Sequence, residues 1–161
     1  MLSYQHIYHA GNFADVQKHA LLVALQRHLQ IKPAKLAFID THAGRGLYDL
    51  GSVEAQKTGE AANGIVPLWS KRADITTPVM RDYLAAVARH NSGDLAVYPG
   101  TARLVADVLR PLDKLTCAEK HPGEYEHLLQ AVGNRAEVIM ADGFEVAAQY
   151  LPAATERGAV L

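Results

Sequence analysis

The chain is short of cysteine, of net charge and of long apolar runs. Its single cysteine, Cys117, excludes an internal disulfide framework and points to a reducing, cytoplasmic setting. The formal net charge is only −1, so contact with RNA or DNA must come from a local patch rather than from a generally basic surface. No stretch is long and apolar enough to span a bilayer, which excludes a helical membrane protein. The opening MLSYQHIYHAGN has neither a charged n-region nor an apolar h-region, so it does not read as a signal peptide. Internal repeats and low-complexity tracts are also missing.

What is present is an ordinary globular composition, 49% apolar and 20% charged, over 161 residues. That length holds one domain with a substantial core. Residues 1–11 are polar and rich in histidine. Asn12 has the character of an N-cap, and Val16, Ala20, Leu21, Ala24, Leu25 and Leu29 recur at helical spacing, which predicts a helix over 13–30. Leu36-Ala37-Phe38-Ile39 reads as a buried strand. Residues 47–98 are broken by Gly51-Ser52, Thr58-Gly59 and Asn63-Gly64, with a clearer helix starting at Thr77-Pro78, and read as a helical insertion. Regular alternation then resumes: helix 101–110, strand 114–118, helix 123–132, strand 136–140, helix 143–151. Such alternation predicts an α/β fold with a parallel sheet and helices on its faces. Arg157-Gly158-Ala159-Val160-Leu161 reads as the start of a further buried strand. A core strand is a poor place for a domain to stop, so residues 1–161 are expected to be the N-terminal part of one larger domain.

Three segments carry the chemistry. Asp40-Thr41-His42-Ala43-Gly44-Arg45-Gly46 follows the first strand, and its glycines suit a turn whose backbone approaches a cofactor closely. A dinucleotide site would place a third glycine where Asp49 stands, and a carboxylate there suits a pyrophosphate poorly. The turn therefore reads either as part of an S-adenosylmethionine site, rather than an NAD site, or as an ordinary glycine-containing turn. Glu119 ends the strand Leu115–Ala118 and is either an acceptor for two ribose hydroxyls or a surface glutamate opening a loop. Its distance from the turn far exceeds the usual spacing, and the 47–98 insertion accounts for the excess. Asp142, before Gly143, is placed to accept from an adenine amine, to cap a helix, or both. Ligands of open α/β sheets bind at this carboxyl edge of the strands.

Of the eight histidines, His6-x-x-His9 is too short and isolated to make a zinc site, and no metal is expected. His19 and His42 lie on or beside elements that meet at the turn and are candidate contacts to the methionine carboxylate. Lys18 and His19 have the alternative of a solvated stretch of helix. Thr101, after Tyr98-Pro99-Gly100, is a candidate N-cap with its hydroxyl at the same edge, and Cys117 reads as a small buried residue.

Taken in order and spacing, MLSYQHIYHAGNFADVQKH, DTHAGRGLYDLGS, TGE, YPGTA, AEKHP and ADGF resemble the 23S ribosomal RNA adenine-N6 methyltransferases of the RlmJ type over essentially the whole chain. The resemblance implies a Rossmann-like methyltransferase fold with an inserted helical subdomain, cut before the strand that bears the catalytic motif. It implies methyl transfer from S-adenosylmethionine to N6 of one adenine in 23S rRNA, protein-free or partly assembled, by a cytoplasmic protein that is a monomer at full length. The implied cofactor contacts are His19, His42, Thr101, Glu119, Asp142 and Gly143, with the family often carrying serine where this chain has Thr101. Tyr4, His6 and Lys18 match an N-terminal tail that helps hold the target adenosine. The family's Asp-Pro-Pro-aromatic motif, which supplies the catalytic acid, is expected beyond Leu161, so residues 1–161 alone are expected to transfer no methyl. Candidate phosphate contacts are Lys18, Arg27, Lys32, Lys35, Arg45, Lys71 and Arg72. The rival readings are a DNA adenine-N6 methyltransferase, a Rossmann-type nucleotide-dependent oxidoreductase and a non-catalytic RNA-binding module.

Overall fold

Local chemistry sets the first helix as the sequence predicts. In the computed structural model, which describes residues 4–151 and 157–161, the Asn12 side chain accepts the backbone N–H of Asp15 and α1 runs Phe13–Gln30. The next element is β1, Leu36–Asp40, an apolar strand with neighbours on both sides. The remaining strands are β2 (Leu47–Asp49), β3 (Val97–Pro99), β4 (Lys114–Ala118), β5 (Glu137–Ile139) and β6 (Arg157–Val160). The remaining helices are α2 (Val53–Thr58), α3 (Ile65–Ser70), α4 (Pro78–Ala88), α5 (Thr101–Ala106), α6 (Pro122–Val132) and α7 (Gly143–Tyr150).

The main sheet is parallel with order β5-β4-β1-β6. This is the 3-2-1-4 portion of a Rossmann-like order, with the chain crossing to opposite sides of β1. Ile39 pairs with Thr116 of β4 on one side and with Val160 of β6 on the other. Strand ends are tied across the sheet: the Ala43 N–H donates to the Ala118 carbonyl, and the Glu119 N–H to that of Ile139.

Two hydrophobic clusters result. One packs around the sheet through Leu22, Phe38, Val105, Leu115, Leu128 and Val132. The other lies under the 47–98 segment through Ile7, Tyr48, Trp69, Tyr83, Val87 and Tyr98. Among the described residues no helix is long and apolar enough to cross a membrane.

The structure differs from the sequence reading in three places. Leu47–Asp49 and Val97–Pro99 form an antiparallel ribbon, with Tyr48 opposite Tyr98, where only helices were expected. Three-residue strands are too short to show a period of two. The helix expected over 101–110 stops at Ala106. Pro111 disfavours helical backbone at Arg110, whose guanidinium instead donates to the carbonyls of Lys32 and Ala34 and to Asp113. Finally, Gly100 occupies the N-cap of α5 and Thr101 is the first helical residue, with no side-chain cap.

Candidate functional site

The turn after β1 is shaped by two glycines in left-handed backbone, Gly44 at φ +60° and Gly46 at φ +76°. A β-carbon on Gly44 would run into the Tyr48 hydroxyl. Gly143 has the same lack of room: a β-carbon there would overlap the Thr41 carbonyl, so the start of α7 lies directly on the turn. Thr41 in turn donates its N–H and its hydroxyl to the Leu161 carbonyl beside β6.

A cavity of about 720 Å³ opens at this carboxyl edge of the sheet, within the range that small-molecule ligands use. All nine residues singled out from the sequence line it: His19, His42, Thr101, Glu119, Asp142 and Gly143, together with Tyr4, His6 and Lys18.

Each is held in a definite way. Glu119 accepts the Gly44 N–H at 2.9 Å on one carboxylate oxygen and the His121 N–H at 2.7 Å on the other. These bonds fix the carboxylate under the turn, and each oxygen keeps a second lone pair. Asp142 caps α7 by accepting the Phe144 N–H and pairs with Lys120 at 3.2 Å. The Lys120 hydrogen bond, with that backbone N–H, holds its carboxyl below the usual range. The Asp142 capping alternative is thus present in the structure. The His42 ring stands edge-on to Phe144 and beside the Thr41 hydroxyl at 3.0 Å.

His19 is only 1% exposed, and burial pushes its pKa down to about 3, leaving a neutral imidazole near pH 7. The solvated-helix alternative therefore fails for His19, whereas Lys18 is exposed, reaches Asp15 at 3.1 Å and also lines the cavity. Over the cavity mouth, Tyr4 stacks on His9 and its hydroxyl lies 2.8 Å from His6 Nδ1. His6 Nε2 lies 2.8 Å from Asp15. Burial alone would raise the Asp15 carboxyl, but the His6 hydrogen bond and the charge of Lys18 hold it well below the usual carboxylate range.

Three residues that contact the cavity lining from behind, Asp40, Tyr98 and Asp15, escaped the sequence reading. Asp40 is buried; one carboxylate oxygen accepts the His42 N–H at 3.2 Å and the other has no partner among the described residues. Burial raises its pKa to about 6. Asp40 belongs to the quoted turn, and its place at a buried strand end was the available signal. Tyr98 and Asp15 gave no such signal. The phosphate candidates divide. Arg45 is bound to Glu124 at 2.6 Å, Arg27 pairs with Asp82, and Arg72 lies over the Trp69 ring, so these guanidiniums serve the fold. Lys32, Lys35 and Lys71 are exposed. Cys117 is buried and its thiol is raised by burial, as suits a core residue. His6 and His9 turn to different acids, Asp15 and Glu60. Among the described residues no group of three or more acid, histidine or cysteine side chains is arranged to hold a metal.

The donor set suits S-adenosylmethionine. The glycines let the turn, Tyr48 and the start of α7 close tightly around the cavity wall, Glu119 offers free acceptor lone pairs suited to a diol, and Lys18 beside the His19–Thr101 pair suits an anionic group.

A family model described as Ribosomal RNA large subunit methyltransferase D, RlmJ, matches residues 33–161. The chain is similar to Ribosomal RNA large subunit methyltransferase J of Escherichia coli strain K12, 39% identical over its whole length, and to that of Haemophilus influenzae at 36%. It spans 58% of each of those relatives. The crystal structure of a protein from Legionella pneumophila str. Philadelphia 1 superposes with a TM-score of 0.86 at 36% identity, covering 94% of this chain and 56% of that one.

Proposed function

The chain belongs to the RlmJ family of ribosomal RNA large subunit methyltransferases, and on that premise we propose that it binds S-adenosylmethionine at the β1 edge for N6-methylation of an adenine in 23S rRNA. The reading is supported by one observation above the others. Residues from the N-terminal segment, from α1 and from four strand-end turns line a single cavity at the switch point of the sheet.

When bound, S-adenosylmethionine supplies an already electrophilic methyl group. The chain's own residues bind and orient. His19 and Thr101, with Lys18 near by, face the carboxylate of the amino-acid part. His42 closes the same end. Glu119 accepts from the ribose hydroxyls through lone pairs its backbone bonds leave free. Asp142 and the close-packed Gly143 border the adenine. Tyr4, His6 and Lys18 hold the target adenosine over the mouth, where the exposed Tyr4 ring offers a stacking face. The 47–98 segment, closed at its base by the β2–β3 ribbon, carries the exposed Lys71 toward phosphate.

Calorimetric titration tests the cofactor. S-adenosylhomocysteine is expected to bind the chain and raise its melting temperature, whereas NADH leaves it unchanged. The opposite result would establish the oxidoreductase reading. Rival polymers separate by competition: a 23S rRNA fragment is expected to displace labelled RNA at concentrations where duplex DNA does not, and equal displacement would count against RNA as substrate.

A further inference from the structure

A line of hydrogen bonds leaves the cavity and runs into the second core cluster. Thr101 Oγ1 lies 3.1 Å from His19 Nε2, and His19 Nδ1 lies 2.8 Å from the Tyr98 hydroxyl. That hydroxyl lies 2.9 Å from the hydroxyl of Tyr83, which is carried by α4 in the 47–98 segment. His19, Tyr98 and Tyr83 are sealed from solvent, so the protein itself must satisfy them.

Two proton orders fit these positions. In the outward order Tyr83 donates to Tyr98, Tyr98 donates to Nδ1, and the Nε2–H of His19 donates to Thr101. The Thr101 proton is then free to point into the cavity. In the inward order Thr101 donates to Nε2, the Nδ1–H donates to Tyr98, and Tyr98 donates to Tyr83. The Tyr83 proton is then stranded, because no acceptor other than Tyr98 lies within reach of it among the described residues. A buried donor without an acceptor loses its hydration and regains nothing, so the outward order is favoured.

We propose that Tyr98, backed by Tyr83, is a positioning residue that holds His19 as the Nε2–H tautomer and thereby turns the Thr101 hydroxyl toward an anionic group in the cavity. The imidazole stays neutral at working pH because it is buried, so it has one donor and one acceptor and the Tyr98 proton decides which is which. Lys18 lines the same cavity and favours an anion there. The identity of that anion as the carboxylate of the cofactor's amino-acid part rests on the cofactor reading above; the tautomer does not.

Long-range proton–nitrogen spectra of the nitrogen-15-labelled chain test the tautomer, the His19 signals being those lost in His19→Gln. The wild-type ring is expected to be protonated at Nε2 and bare at Nδ1. Tyr98→Phe should give a mixture of tautomers and weaken S-adenosylhomocysteine by about tenfold, the worth of one hydrogen bond. Tyr83→Phe leaves the Tyr98 donor in place and should keep the tautomer, weakening the ligand by about two- to threefold through lost polarisation. An Nδ1–H ring in the wild type overturns the proposal even if Tyr98→Phe fails to fold, and so does a Tyr98→Phe ring that remains wholly Nε2–H. Failure of the wild type to bind S-adenosylhomocysteine, with the ring in the Nε2–H form, overturns the cofactor reading and upholds the tautomer.

Discussion

The two halves of the interior differ in what they ask of their residues. The cluster around the sheet is almost wholly aliphatic, with Phe38 as its one aromatic ring and Cys117 as its one polarisable atom. The cluster under the 47–98 segment is built on Tyr48, Tyr83, Tyr98 and Trp69. Aliphatic side chains fill space and impose no further condition. Buried tyrosines fill space too, but each hydroxyl must find a partner. Tyr98 finds it in His19 and Tyr83 finds it in Tyr98; His19 stands on the helix that both clusters share, since α1 gives Leu22 and Val23 to the first and Val16 and Ala20 to the second. The aliphatic half is therefore a frame, and the tyrosine half is a frame wired to the cavity.

The sharpest way to break this contrast is Phe38→Ala. It removes the largest side chain of the sheet cluster and should cost about 3–5 kcal/mol in urea unfolding. A cost below about 1 kcal/mol would show that the sheet cluster does not form one packed core. Next comes the polar edge of the other half. The Asp15 carboxyl has a lowered pKa in the folded chain, so its contribution is present above its unfolded value near 4 and lost as the pH falls below that. Asp15→Asn should thus cost about 2 kcal/mol at pH 7, with the gap to wild type narrowing toward pH 2. A pH-independent gap would assign the loss to packing. The smallest effect belongs to the solvent face. Lys71→Ala should change stability by no more than about 0.5 kcal/mol, yet lower the salt slope of RNA binding by about one. An unchanged slope would remove Lys71 from the interface.

The parts of the fold that announce themselves in sequence are those governed by one local rule. Asn12 and the apolar spacing behind it mark α1 to the residue, and Leu36–Ile39 marks β1 because a buried strand must be apolar throughout. The β2–β3 ribbon stays hidden because three residues carry no period, and its partners stand some fifty positions apart. The cavity is legible for a similar reason: acid or glycine at successive strand ends is a repeated local sign. Tyr98, Tyr83 and Asp15 act only through neighbours that folding brings to them, so no window of sequence contains the interaction. Arg45 shows the converse error. A basic residue in an exposed-looking turn reads as a phosphate contact until Glu124, far along the chain, is found to hold it.

The central place of β1 has a consequence in time. Its hydrogen-bonding partners come from β4, whose Thr116 meets Ile39, and from β6, whose Val160 meets the same residue. Both closures are long-range, and such contacts are slow because chain entropy must be given up before they form. During synthesis the turn after β1 emerges early, with neither flanking strand yet made, and its β6 side stays bare while more than a hundred further residues are added. The pocket is accordingly among the last features to mature, and a ligand that recognises it will recognise only a chain that has finished folding there.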